Sequence, residues 1–250
     1  MTAYEVKLKG REEVAEGTMA FHFEKPTGFS FKPGQAIDVV LIDPPTTDAQ
    51  NARHTFSIVS APFQSELVVA TRMRDSAFKR AFKSLPIGSP AKLEGPFGSL
   101  TLHNDRARAA VFIAGGIGIT PFMSILRQAA NDKLSQQLIL LYSNRRPEDA
   151  AFLVELQQIQ QQNKSFHLVA TMTEMSKSSR PWDGETGLIN DDLVKRSGGD
   201  LSAPIYYLAG PPAMVEAVRQ TLNNASINDD DIRSEEFYGY SQEAHFSPLK

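Results

Sequence analysis

The sequence predicts two domains of different architecture, an antiparallel β barrel or sandwich followed by a parallel-sheet α/β domain. Up to about residue 103, short apolar runs rich in Val, Ile, Phe and Thr are separated by Gly and Pro turns. From Ala110, buried apolar strands alternate with amphipathic helices, the pattern of βαβ units. A charged stretch, 103–108, divides the two patterns, so we set the domains at 1–104 and 105–250, the second ending in a tail at 241–250. A chain of 250 residues can bury a core large enough to need no covalent staples.

In the first half the expected strands are 4–9, 18–24, 36–42, 54–59, 67–73 and 91–94, punctuated by Pro33-Gly34, Pro44-Pro45 and Gly95-Pro96-Phe97-Gly98. One helix is expected at 76–84, with Ser76 as its N-cap and Phe78 and Phe82 four apart on one face. In the second half strands are expected at 110–114, 138–142, 166–170 and 205–209. Helices are expected at 121–130, 147–161 and 211–222, each opened by a proline near its first position. In the second of these helices Phe152, Leu156 and Ile159 form the apolar stripe, and Gln157, Gln158, Gln160 and Gln161 face water.

The chain has no cysteine, which excludes a disulfide framework, a zinc-thiolate site and a cysteine-ligated iron–sulfur cluster within it. Electron chemistry in these residues would therefore need an organic cofactor. A near-balanced charge, 26 Lys+Arg against 29 Asp+Glu, lacks the basic excess that non-specific nucleic-acid binding requires. Charge at the start of the chain, where a signal peptide would be apolar, and the lack of an apolar run of about 18 residues lead us to expect a cytoplasmic protein without a membrane span. His22, His54, His103, His167 and His245 have no metal-ligand spacing, so no metal site is expected.

The strongest local signal is Gly115-Gly116-Ile117-Gly118-Ile119-Thr120-Pro121, after an apolar strand and before a helix. Glycines allow a sharp turn and close approach of a ligand, and the free amides of a helix start attract a pyrophosphate. The usual dinucleotide fingerprint is not met, because Pro121 stands where a third glycine is required and Ser143 where an acid would hold the ribose. On these residues alone, a tight turn with no ligand stays open.

Five segments in this order resemble the ferredoxin-NADP reductase superfamily of flavoprotein reductases, over about residues 4–240. Gly115 to Pro121, with Gly115, Gly116, Gly118, Thr120 and Pro121, matches its Gly-Gly-x-Gly-x-Thr-Pro segment, and Phe31-Lys32-Pro33-Gly34-Gln35 is similar to its Pro-Gly-Gln turn. Arg53-His54-Thr55-Phe56-Ser57 resembles its flavin signature. There the resemblance implies Arg53 at the flavin phosphates, Phe56 against the ring and Ser57 facing the flavin's reactive nitrogen, with His54 and Thr55 beside them. A guanidinium fork suits a diphosphate, and a short hydroxyl can reach a ring nitrogen without crowding it. Arg53 lies one residue further from the aromatic than the family pattern has it, and His54 takes the expected place.

Thr71, Arg72, Met73, Arg74, Ser76, Ala77 and Phe78 look like the family's second flavin-phosphate segment; alternatively Arg72, Arg74, Lys79, Arg80 and Lys83 form a solvated face or a docking patch for an acidic electron carrier. Ala209-Gly210-Pro211 and Met214 resemble the family's Cys-Gly-Pro-x-x-Met at the nicotinamide site, with Ala209 where many relatives have cysteine. The segment 232–240 resembles the C-terminal strand, implying a carboxylate, Glu235, near the flavin and an aromatic, Phe237, over the ring face that nicotinamide must occupy. Ser143, Asn144, Arg145, Arg146 and Asp149 fall where the family reads the adenosine ribose. Arginines there favour a 2′-phosphate, whereas Asp149 matches an acidic position of NADH-dependent relatives and tilts the expectation to NADH.

The resemblance thus implies a flavin-binding barrel and a nicotinamide-binding α/β domain, with FAD as cofactor, NADH or NADPH as donor and a separate carrier protein or small molecule as acceptor. Two rivals stay open at this point, a non-catalytic flavin- or nucleotide-binding subunit and a flavin-free dehydrogenase. The tail 241–250, with Phe246 as anchor, is expected to pass around or over the flavin.

Overall fold

A computed structural model describes residues 2–42, 52–198, 201 and 203–238. The Pro44-Pro45 turn, His245 and the tail 241–250 with Phe246 lie outside the described residues.

The first half is a six-stranded antiparallel sheet built from β1 (Ala3–Ala15), β2 (Thr18–Glu24), β3 (Ala36–Leu41), β4 (Arg53–Ser57), β5 (Glu66–Arg72) and β6 (Pro90–Phe97), in the order β4-β3-β6-β1-β2-β5. The two outer strands meet at an antiparallel bridge between Ile58 and Val69 and a 2.8 Å bond from Val59 N to the Val68 carbonyl, which closes the sheet into a barrel. Closure leaves no open edge and wraps the alternating apolar residues around one interior. Phe21, Phe23, Ile37, Leu67 and Leu93 fill it, with the helix α1 (Ala77–Ser84) packing Phe78 and Phe82 against it. β1 extends beyond the expected 4–9 because register shifts near Gly10 let it bend from β6 onto β2; its exposed Arg11-Glu12-Glu13 hid this continuation from a hydrophobicity reading.

The second half is a six-stranded parallel sheet. β7 (Ala110–Gly115), β8 (Leu138–Asn144), β9 (Phe166–Met172), β10 (Glu185–Thr186), β11 (Ile205–Gly210) and β12 (Ile232–Glu236) lie in the order β10-β9-β8-β7-β11-β12. The order reverses between β7 and β11, and the carboxyl ends flanking such a switch point form the crevice in which open α/β sheets bind ligands. The crossovers include α2 (Thr120–Asn131), α3 (Leu153–Gln162), α4 (Asp191–Gly198) and α5 (Pro212–Asn224). None of the helices described is long and apolar enough to cross a membrane.

The helix expected at 147–161 is instead two pieces, a short 3-10 turn Pro147–Asp149 and α3, separated by Phe152 at φ 61°. Burial of Ala150 and Ala151 and a 3.1 Å bond from Tyr142 Oη to the Ala151 carbonyl hold the break. α4 and β10 escaped the sequence reading because their apolar signal is too short to show a period.

The halves share one apolar cluster, in which Val59, Val68 and Ala70 of the barrel pack with Phe122, Ile125 and Leu126 of α2. Polar contacts reinforce it: Ser124 Oγ donates to the Ser60 carbonyl at 2.7 Å and Arg127 Nη1 to that of Val59 at 3.0 Å. The connecting segment is anchored as well, its His103 amide donating to Tyr207 Oη at 2.9 Å.

Candidate functional site

Two cavities lie where the halves meet. The first, about 280 Å³, is lined on the barrel side by His54, Thr55, Phe56, Ser57 and Ala70, and on the α/β side by Ile117, Thr120, Glu235, Glu236, Phe237 and Tyr238. The second, about 330 Å³, sits at the carboxyl ends of the parallel strands. Gly115, Gly116, Ile117, Ser143, Asn144, Arg145, Thr173, Glu174, Leu188, Pro211, Met214 and Phe237 line it, together with Arg72 and Arg74 from the barrel. Ile117 and Phe237 form a wall of both, so the cavities adjoin across them.

In the first cavity, β4 turns Phe56 inward, where its ring lies near Phe78 and Phe82, and leaves the next residue, Ser57, at the cavity wall. The Ser57 hydroxyl is buried and has no hydrogen-bond partner. A buried hydroxyl without a partner costs free energy. His54 stacks on Phe56 at 4.6 Å and donates from Nδ1 to the Thr55 carbonyl at 2.8 Å; burial lowers its pKa and favours the neutral imidazole.

Arg53, expected at the flavin phosphates, lines neither cavity. Its guanidinium is engaged by Asp38 and, at 2.8 Å, by Glu94, and these carboxylates raise its pKa. Thr55, two residues on and so on the same side of the strand, also donates to Asp38, and this carboxylate holds both side chains. Of the second expected phosphate segment, only Arg72 and Arg74 reach a cavity, the second one. Thr71 is buried, Met73 and Phe78 pack on the barrel core, and Ser76 caps α1, whose first residue is Ala77, by accepting from Lys79 N at 3.3 Å.

The glycine segment is divided between two physical jobs. Gly116 adopts φ 53°, a region that disfavours side chains, with open space around it in the second cavity. Gly118 is there for packing, since a Cβ on it would lie 2.1 Å from the Ala209 carbonyl oxygen. Thr120 faces the first cavity rather than the second and donates to the Ile117 carbonyl at 3.0 Å, while Pro121 is buried in the first turn of α2.

Ser143, Asn144 and Arg145, which the resemblance sets at the adenosine ribose, line the second cavity. Arg146 and Asp149 do not line it, because each occupies the other. Asp149 accepts from Arg146 Nε at 2.9 Å and from Arg72 Nη2 at 3.0 Å. The Asp149 carboxylate, on which the tilt toward NADH rests, faces Arg146 and Arg72.

At the last strands, Ala209 is fully buried, Gly210 accepts from Phe237 N at 2.9 Å, and Pro211 and Met214 form the cavity wall. Glu235 lines the first cavity, and burial raises its carboxyl pKa. Such a group favours folding below its ordinary value near 4.5 and loses that contribution as pH rises through the raised value. Glu235→Gln should accordingly raise the unfolding midpoint at pH 8 by roughly 2–4 °C and change it less at pH 4, as calorimetry at the two pH values would show.

Sequence reasoning missed Ile117 as a wall of both cavities, and Thr173 and Glu174. The latter two follow the end of β9 as Arg145 follows the end of β8, so their position past a parallel strand was the available signal.

A barrel closed on itself, a parallel sheet with its switch point facing that barrel, and paired cavities between them define a ferredoxin-NADP reductase-like two-domain fold. Residues 112–220 match the family described as oxidoreductase NAD-binding domain. Among solved structures, the ferredoxin NADP+ reductase of Neisseria gonorrhoeae with bound FAD and NADP superposes with a TM-score of 0.77 at 22% identity, covering 94% of this chain and 98% of that one. The flavohem-like FAD/NAD-binding domain of nitric oxide dioxygenase from Vibrio cholerae O1 biovar El Tor gives 0.78 at 19%, covering 93% and 98%. In sequence, the chain is 28% identical over 216 residues to the reductase component of propane 2-monooxygenase from Rhodococcus jostii, covering 85% of this chain and 57% of that protein. It is 26% identical over 223 residues to the glycine betaine monooxygenase reductase subunit of Chromohalobacter salexigens, covering 88% and 60%. The chain thus spans less than two thirds of the length of these two relatives.

Proposed function

We propose that the chain is a flavin-dependent oxidoreductase that takes hydride from NADH or NADPH onto bound FAD and passes electrons to a separate acceptor. The observation that carries this reading is the pair of cavities that share Phe237 and Ile117, one with an unpartnered buried hydroxyl, Ser57, and the other at the nucleotide end of a parallel sheet. The relatives named as oxygenase reductase components support the same reading.

FAD, when bound, supplies a ring that accepts hydride and releases electrons onward. In this reading Ser57 would offer its hydroxyl to the flavin ring, Phe56 would pack beside the ring, and Phe237, at the wall shared by the two cavities, would stand between flavin and nicotinamide. Arg72 and Arg74, which line the second cavity, supply positive charge for phosphates. Gly116 leaves room for the nicotinamide nucleotide's pyrophosphate, and Ser143, Asn144 and Arg145 meet its adenosine end. Ala209, where many relatives have a thiol, leaves orientation as the catalytic device. These 250 residues hold no cysteine to ligate an iron–sulfur cluster, so the next electron carrier lies outside them. The cytoplasm as compartment and the domain limits 1–104 and 105–250 belong to the same proposal, the latter supported by the two sheets ending and starting at Phe97 and Ala110.

The purified protein should be yellow, and anaerobic mixing with NADH or NADPH should bleach its flavin absorbance within seconds. A colourless protein that takes up no added FAD would overturn the reading. Bound flavin that neither nucleotide bleaches would instead identify a non-catalytic flavin-binding subunit.

A further inference from the structure

Residues 146–149, expected at the nucleotide, are joined to both halves of the molecule by a continuous set of polar contacts. The Asp149 side chain is only 4% exposed, and both of its oxygens are used. Oδ1 accepts from Arg72 Nη2 at 3.0 Å and Arg146 Nη2 at 3.1 Å, and Oδ2 from Arg146 Nε at 2.9 Å. Arg72 ends β5, so this carboxylate bridges barrel and parallel sheet. Arg146 Nη2 also donates to Glu16 Oε2 at 3.1 Å, and the Glu16 amide donates to the Glu148 carbonyl at 2.8 Å. The Glu148 carboxylate in turn accepts from Ser178 Oγ at 2.9 Å and from Ser179 N at 2.8 Å. These last bonds tie down the loop after β9, whose Glu174 amide is held by the Arg145 carbonyl at 2.8 Å.

The same segments are walls of the second cavity: Arg72 on one side, Arg145 and Glu174 on the other. Domains in one chain move relative to each other unless their interface resists it, and hydride transfer tolerates little misplacement of the reacting atoms. A carboxylate withdrawn from water between two guanidiniums resists such motion strongly, because separating the halves would leave buried charge without its partner.

We infer that Asp149, held between Arg72 and Arg146, is a positioning residue that fixes the spacing of the two cavities and does not read the nucleotide's ribose. The inference deepens the function proposed above and rests on it for its kinetic test. Nucleotide discrimination then falls to groups that do line the cleft, Arg145 foremost, whose guanidinium has no ion-pair or hydrogen-bond partner among the described residues.

The test uses Asp149→Asn and, in case that buried change prevents folding, Arg146→Met. In the flavin-free chain, amide hydrogen exchange at Glu16 and Ser179, whose N–H groups close the brace, should quicken about tenfold in either variant. In the flavin-loaded chain, the anaerobic rate of flavin reduction at saturating nucleotide should fall about tenfold with NADH and NADPH alike, leaving their ratio within about twofold of the parent. The double variant should be no slower than the slower single one. A selective gain with NADPH of tenfold or more in Asp149→Asn would assign Asp149 to the ribose and overturn the inference, as would unchanged exchange at Glu16 and Ser179. Parent flavin that neither nucleotide bleaches would count against the proposed function alone, since the exchange measurement does not depend on turnover.

Discussion

Ser57→Ala should slow reduction of the bound flavin by about 100-fold while leaving the flavin-free protein as stable as the parent or more so. The two effects have one cause. In the flavin-free chain the hydroxyl is buried without a partner, and an unmet buried polar group costs about 1–3 kcal/mol, so its removal relieves a penalty. In the function proposed above the same hydroxyl would donate to the flavin ring where negative charge develops, and deletion of one such preorganised donor in other enzymes costs about 100-fold or more in rate. Stopped-flow absorbance and a melting curve of the flavin-free chain measure the two halves separately. Reduction at the parent rate would show that Ser57 does not face the reacting nitrogen. A large loss of stability would show that the hydroxyl has a partner in solution.

Gly118→Ala is expected to destabilise the fold by about 3 kcal/mol, through crowding against backbone rather than through lost contact with a ligand. The added Cβ would stand 2.1 Å from the Ala209 carbonyl oxygen, 2.5 Å from its carbon and 2.8 Å from Gly210 Cα. All three belong to β11, bonded to β7 on one side and β12 on the other, so no flexible side chain can yield. The strand end must move, and it carries Pro211 and Met214 of the second cavity and the Gly210 carbonyl that holds Phe237. Weaker nucleotide binding should therefore accompany a fall in unfolding midpoint of roughly 6–12 °C. Gly116→Ala is the internal contrast: its Cβ meets nothing, and only the left-handed backbone at φ 53° opposes it, at about 1–2 kcal/mol. Equal effects at the two positions would refute the division of roles between the glycines.

Legibility in the sequence followed the range of the interaction. Thr18–Glu24 carries its strand signal within seven residues, and its strand limits coincide with those expected. The Gly115 to Pro121 segment announced a strand, a turn and a helix because backbone sterics act over a few residues. Even there the sequence did not separate the conformational need of Gly116 from the packing need of Gly118, since Ala209 lies some ninety residues further along the chain.

The sequence by itself determined the two-part architecture and the lack of any thiol chemistry within these residues. It also determined which chemical groups were available to a flavin and a nucleotide. Only the tertiary structure decided how those groups were used. It set Arg53 beside Asp38 and Glu94, and joined Arg72 to Asp149 across 77 positions. It also placed Phe237 between the two cavities. The physical reason is that a guanidinium or a carboxylate carries the same charge in any partner's company. Which partner it meets depends on distances that exist only once the barrel has closed and the sheet has packed against it.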